Sequence, residues 1–430
     1  MRVTWLAKSG WLVIAIGFAA SAVAQAYGPE EQGAKWTFDG HIKYQAIHTD
    51  IPEDSILRAI GGSALQDHNL ETRLKAAARR GPWSLTLHGQ LLAVHSDSLG
   101  VFRDLPAAVL PGAGVIDDRR RWLNLSHTVK NRGEQGAVVR LDRASIGYTG
   151  EKTVLRFGRQ AVSWGNGLLF TPMDIFNPFD PTAVDKEYKT GDDMLYAQYL
   201  FDNGADLQTV AVVRRNAVSG QVEQDESSLA IKYHGFWGAP EFDLMVAEHY
   251  AQRVVGVGAS TDFGGAVWRG DLVWTDTRSG SSTSVVAGVS YSWIAGGLNW
   301  AGLLEYHYNG FGQPDDEYGA ADFLHNPELL RRLARGETFN IGRHYLGASV
   351  TVELMPLLNL TPSAFINLTD PSALAQVVLA YDWKQDIQLL GALSLPLGPG
   401  GSEYGGIDAG QPGTYFSTGP SLFLQLAWYF

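Results

Sequence analysis

The last nine residues, LFLQLAWYF, alternate up to the terminal carboxylate. Leu422, Leu424, Leu426, Trp428 and Phe430 fall on one side, and Phe423, Gln425, Ala427 and Tyr429 on the other. A period of two marks a β-strand whose faces meet different surroundings. The pattern recurs along the chain. Trp36, Phe38, Gly40, Ile42, Tyr44 and Ala46 alternate with Thr37, Asp39, His41, Lys43 and Gln45. Leu70, Thr72, Leu74 and Ala76 alternate with Glu71, Arg73, Lys75 and Ala77, and Ala266, Trp268, Gly270, Leu272 and Trp274 with Val267, Arg269, Asp271 and Val273. One face suits lipid, while the other carries charges that need water. A closed, membrane-spanning antiparallel β-barrel meets both demands and pairs every backbone polar group. A soluble sandwich or propeller would also alternate, but its aromatic rows would need a dry core; Trp and Tyr near strand ends fit interfacial girdles better.

The N-terminus has a positive start at Arg2 and Lys8, an apolar run from Gly10 to Ala20, and small residues at Ala22-Val23-Ala24. This predicts a secretory signal peptide over 1–24, leaving 25–430 as a single barrel domain. The apolar run is too short for a spanning helix, which needs about 20 residues. With no cysteines, disulfides, thiolate metal sites, Cys nucleophiles and c-type haem attachment are excluded, and no cofactor is expected. The 45 acidic residues against 33 basic ones argue against nucleic acid, whose binders need basic surface. Glycine, tryptophan and tyrosine are spread along the chain without a linker or compositional break.

Short connections with breakers fall at Arg80-Gly81-Pro82, Asn203-Gly204, Ala295-Gly296-Gly297 and Pro356. Long ones fall near 50–65, 96–136, 164–189, 310–341 and 397–416. Barrels of this kind keep short turns on one rim and long loops on the other. Imposing that rule gives about 18 strands. The weakest joint is 250–264, where an extra strand runs through Val254, Gly256 and Gly258; without that pair the count is 16.

The terminal strand, ending in the aromatic Phe430, resembles the closing strand of bacterial outer-membrane β-barrels. That resemblance implies recognition by the barrel-insertion machinery and a place in the outer membrane of a Gram-negative bacterium. A second segment, LRFGRQAVSWGNGLLFTPMDIFNPFDPTAVDKEYKTGDDMLY (Leu155–Tyr196), resembles porin-like barrels of the alginate-export type and their uncharacterised relatives. GRHYLGASV and FINLTDPSA (Gly342–Val350 and Phe365–Ala373) echo it more weakly. Alginate exporters have a lumen rich in arginine and lysine; here the basic ladder is thinner.

Within this segment the 164–189 connection is not hydrophilic. Leu168, Leu169, Phe170, Ile175, Phe176 and Phe179 suit an inward fold against the wall, and Pro172, Pro178 and Pro181 stiffen it. Its carboxylates are Asp174, Asp180, Asp185, Glu187, Asp192 and Asp193, with Lys186 and Lys189 among them. Facing them from the wall could stand Arg73, Arg140, Arg156 and Arg214, with Arg79 and Arg215. Such an arrangement either sets a transverse field across a constriction or pairs off to hold the loop down. Arg159 shares parity with lipid-facing Leu155 and Phe157, so either a bulge at Gly158 turns it inward or it sits at the rim. A Ca²⁺ site from Asp180, Asp185, Asp192 and Asp193 has suitable oxygen ligands, but its spacing matches no known loop.

His249 follows Glu248, and His307 shares a strand face with Glu305. Neither has a serine nucleophile at a recognisable spacing, and GxSxG and HExxH are absent, so no enzyme is expected. The expected function is passive diffusion of small hydrophilic or charged solutes through a lumen narrowed by 164–189, as a monomer or homo-trimer. The alternative is a dedicated barrel of an export, lipid-transport or electron-conduit system with periplasmic partners.

Overall fold

The computed structural model describes residues 34–104, 116–316 and 318–430. The expected signal peptide lies outside them. In chain order the strands are β1 Lys35–Asp50, β2 Ala64–Arg80, β3 Trp83–Ser96, β4 Ser126–Arg132, β5 Gln135–Thr149, β6 Thr153–Gln160 and β7 Asp192–Leu200. Then come β8 Asp206–Val212, β9 Ser228–Phe236, β10 Glu241–His249, β11 Gln252–Phe263, β12 Ala266–Thr277, β13 Gly280–Ala295 and β14 Leu298–Tyr308. The last are β15 His344–Met355, β16 Leu358–Asn367, β17 Ser372–Lys384, β18 Ile387–Leu397, β19 Ile407–Asp408, β20 Tyr415–Phe416 and β21 Ser421–Tyr429. Short helices α1 (Arg58–Gly61), α2 (Asp97–Asp104), α3 (Ala320–Leu324) and α4 (Pro327–Arg335) lie in the connections.

Each barrel strand pairs antiparallel with its neighbour, and β21 closes the ring on β1. The terminal residue takes part: Gly40 N donates to Phe430 O at 2.8 Å, and Phe430 N to Gly40 O at 3.0 Å. Strand β4 shares one edge of β5 with β6, β4 pairing Gln135–Arg140 and β6 pairing Ala144–Thr149. The two occupy one place in the circumference, and the barrel has 18 strands. The segment at 250–264 does contribute a strand, β11, with Val254 turned inward and Val255 and Val257 outward.

All connections on one rim are short turns. Gly296 and Gly297 have φ of 60° and 78°, the left-handed pair that a two-residue hairpin requires. The described residues of the connections 51–63, 97–125, 161–191, 213–227, 309–343 and 398–420 all fall on the opposite rim. The outward rows expected to meet lipid are exposed: Trp36, Phe38, Tyr44, Trp268, Leu272 and the terminal Leu422, Leu424 and Leu426. Inward, Gln425 and Ala427 are buried.

Candidate functional site

Strands β6 and β7 are short because the chain between them leaves the wall. Gly158 has φ +120°, and a Cβ there would lie 2.1 Å from Ala144 O, so only glycine fits. The step breaks alternation: Phe157 stays outward, while Arg159 and Gln160 are both buried. Above this point the rim is filled by the segment before β4. Arg215 N donates to Arg120 O, Leu141 N donates to Leu125 O, and Trp122 packs edge-on against outward Phe157.

The 161–191 connection then makes a circuit inside the barrel. Trp164 Nε1 donates to Gln208 on β8 at 2.7 Å. Asn166 and Gly167 meet Asp271 on β12, residues 168–170 meet Glu305 on β14, and Phe170 packs on Tyr345 and Phe365 of β15 and β16. Thr182 O accepts from Gln376 on β17. Asp185 and Glu187 each lie 2.6 Å from Lys43 on β1, and the Arg73 guanidinium of β2 lies 4.1 Å from the Tyr188 ring centroid. Arg143 of β5 donates to Lys189 O, completing the circuit.

Irregular backbone inside a barrel needs acceptors for its N–H groups. Two wall carboxylates supply them. Asp271 accepts Asn166 N at 2.7 Å and Gly167 N at 3.3 Å. Glu305, fully buried, accepts Leu168 N at 2.6 Å, Leu169 N at 2.8 Å and Phe170 N at 3.1 Å. Charge-assisted bonds of this kind are roughly twice as strong as neutral ones. Apolar packing adds to them: Trp164, Met173, Ile175 and Phe176 bury against inward Met194, Val210, Met245, Val254 and Val273. The loop is also closed on itself. Lys189 Nζ donates to Val162 O at 2.5 Å, to Ser163 Oγ at 3.2 Å and to the Asp174 carboxylate at 2.5 and 2.6 Å. Burial pushes Asp174 up to about 6, although Lys189 and the N–H groups of Phe176 and Trp164 favour its ionised form.

The expected site residues divide by surroundings. Asp185 and Glu187 share Lys43 and remain partly exposed, and Glu187 also accepts from Tyr429 Oη at 2.9 Å. Asp180 caps Thr182 through its N–H and hydroxyl at 2.8 and 2.7 Å. Arg156 stays exposed, its guanidinium 4.5 Å from the Tyr196 ring centroid. Presentation to an open lumen needs correction for Asp174, Asp192, Asp193, Arg73, Arg140, Arg159 and Arg214, all buried in ion pairs. Arg159 Nη1 lies 2.9 Å from Asp118 and its Nε 2.9 Å from Asp193, pinning the rim segment to the wall. Arg214 pairs with Asp192 at 2.7 Å, while Arg73 and Arg140 converge on Asp142 at 2.6 and 2.7 Å. Of the further wall arginines, Arg79 is exposed, and Arg215 donates to Trp122 O. The four carboxylates weighed for Ca²⁺ are thus dispersed among different partners.

Lys43, Asp142, Tyr188, Asp271 and Glu305 were not anticipated as anchors. The docking itself has a signal in the inward apolar residues on β7 to β12, which break the rule of a polar lumen wall, but the charged anchors have none. His307 stacks on Phe170 at 4.9 Å between ring centroids, and His249 Nδ1 lies 2.8 Å from Ser228 Oγ.

No protein-family model matches the sequence, and no curated protein matches it. Solved structures resemble the fold. OccAB4 of Acinetobacter baumannii superposes with a TM-score of 0.52 at 10% identity, over 94% of this chain and 100% of that one. A BenF-like porin from Pseudomonas fluorescens Pf-5 gives 0.50 at 9% identity, over 92% and 98%. At such identities the likeness establishes the barrel architecture: a closed antiparallel barrel of the porin type.

Proposed function

We propose that this protein is a diffusion channel of the Gram-negative outer membrane, passing small hydrophilic or charged solutes through a lumen narrowed by the 161–191 connection. One observation carries the reading. A long connection from β6 to β7 is held inside a closed barrel by wall side chains around the whole circumference, where a surface loop would project into solvent. An outward face of apolar rows with aromatic residues supports a lipid surrounding. The likeness to a BenF-like porin supports the same class.

In this reading the long-loop rim is extracellular and the short-turn rim periplasmic, with 1–24 directing secretion. Phe430, zipped to Gly40, would be the element read by the insertion machinery. The likeness of Leu155–Tyr196 to alginate-export-type barrels supports an inward loop more than a shared solute. Arg73, Arg140, Arg159 and Arg214 are neutralised by carboxylates, which weakens any case for a polyanion path. The channel would act as a monomer or homo-trimer.

Planar-bilayer recording tests the proposal. Purified protein should give steady ion-conducting steps, and deletion of 168–182 should enlarge them. Silence at adequate insertion would remove the channel; unchanged steps after deletion would remove the constriction.

A further inference from the structure

A cleft separates the inward connection from the 309–343 connection above it. Phe170 and Phe179 line it from below, and Phe311 and Phe339 from above. Pro172 and Pro178 add further apolar surface. Flat apolar walls with a few convergent polar groups are the usual form of a small-molecule site.

Its polar lining includes His249, Arg332 and Glu337, beside His307 and several Ser, Thr and Asn side chains. The side chains of His249 and Glu337 are only 2% and 9% exposed. Among the described residues, His249 Nε2, Arg332 Nε and Glu337 Oε1 are buried without a hydrogen-bond partner. The rest of each group is satisfied. Arg332 Nη1 donates to Glu337 Oε2 at 2.7 Å and its Nη2 to Gln252 Oε1 at 2.6 Å. Two of the three face each other, His249 Nε2 and Glu337 Oε1 at 3.5 Å, and Arg335 Nη1 lies 3.6 Å from the same oxygen, contacts too long for good hydrogen bonds; such under-satisfied buried groups are unusual.

Proton bookkeeping gives their roles. Arg214 Nη1 donates to Ser228 Oγ at 2.7 Å, leaving the serine proton free for His249 Nδ1 at 2.8 Å. The imidazole proton then sits on Nε2, 3.5 Å from Glu337 Oε1. The set therefore offers two donors, His249 Nε2–H and Arg332 Nε–H, and one acceptor, Glu337 Oε1. A hydroxyl group accepts two hydrogen bonds and donates one, matching all three. A carboxylate has no proton for Glu337 and would place an anion beside it. A hydrocarbon leaves all three unpaired.

We propose that this cleft binds small neutral molecules with a flat apolar body and one hydroxyl group, of the alkylphenol class. Its place on a solute route rests on the channel reading; the binding itself does not. The three atoms are sealed from water, so entry of the hydroxyl requires a local side-chain rearrangement.

Equilibrium dialysis of the full protein in detergent micelles tests this, with protein-free micelles as the reference. The probes are p-cresol, toluene and p-toluate, which share one body and differ in the polar group. Saturable binding of p-cresol at least about tenfold tighter than of the other two is expected. Glu337→Gln should reduce the p-cresol affinity and leave toluene unchanged. Equal uptake of p-cresol and toluene, a preference for p-toluate, no saturable binding, or an unaltered p-cresol affinity in Glu337→Gln each overturns the proposal. Ion conductance of the same preparation reports separately on the channel: a conducting protein that binds no p-cresol loses the site and keeps the channel, and binding without conductance does the reverse.

Discussion

The Glu305 carboxylate on β14 takes the backbone N–H of Leu168 at 2.6 Å, joining the barrel wall to a connection that began eight strands earlier. With Leu169 and Phe170 it forms a three-donor clasp on one buried anion. The inward loop is thus held by its backbone at this point, and its own charged side chains act elsewhere.

Glu305→Gln leaves a single acceptor oxygen and no charge for three donors. The docked loop should lose about 2 kcal/mol, since hydrogen bonds to charged groups contribute roughly 1.5–3 kcal/mol each. Limited proteolysis in detergent should then cut between Leu168 and Phe179, and single-channel current should become larger and noisier. A cleavage pattern identical to that of the unaltered protein would show that the clasp is dispensable.

Arg159→Leu leaves Asp193 buried without its cation and Asp118 with Arg121 alone, 2.9 Å away. Loss of one partner from such a cluster costs about 3–5 kcal/mol. The transition temperature in detergent should fall, and pairing the change with Asp193→Leu should cost less than the sum of the two singles. Strict additivity would mean that the ion pair carries no coupling.

Lys43→Met frees the carboxylates of Asp185 and Glu187, which are 21% and 33% exposed. Two uncompensated negative charges at the lumen side of the loop should raise cation preference. The reversal potential across a KCl gradient measures this, with a shift toward the cation limit expected.

Glu403, in the 398–420 connection, accepts from Tyr345 Oη at 2.6 Å, Asn367 Nδ2 at 2.7 Å and Ile341 N at 3.1 Å. Burial pushes it up to about 7, and neighbouring Asp370 adds to the rise, while the three donors favour the ionised form. The folded-state value lies above the ordinary one, so the stabilisation is complete below the unfolded value and is lost as pH climbs through about 7. The slope is at most about 1.4 kcal/mol per pH unit. Hydrogen-exchange protection factors in 309–343 and 398–420, referred to the intrinsic exchange rate at each pH, should be lower at pH 8.5 than at pH 5.5, and Glu403→Gln should flatten the difference.

Much of this was legible in the chain itself, because a two-residue period maps directly onto two faces. The outward rows at Trp36–Ala46 and Ala266–Trp274, the turn at Gly296-Gly297 and the extra strand through Val254 all follow from local pattern. So does the inward fold of 164–189, since Phe170, Ile175 and Phe176 cannot remain in water. The partners of its charges did not follow. Arg159 violates parity in sequence and becomes intelligible only with Gly158 at positive φ and Asp118 lying over it.

Local alternation and composition therefore determined that this chain closes into a barrel and carries an unusually apolar connection. Tertiary structure alone decided which carboxylate meets which donor, because those pairs join residues far apart in sequence. Glu305 with Leu168 and Lys43 with Asp185 depend on strand register around a closed ring, and register is a property of the whole circumference.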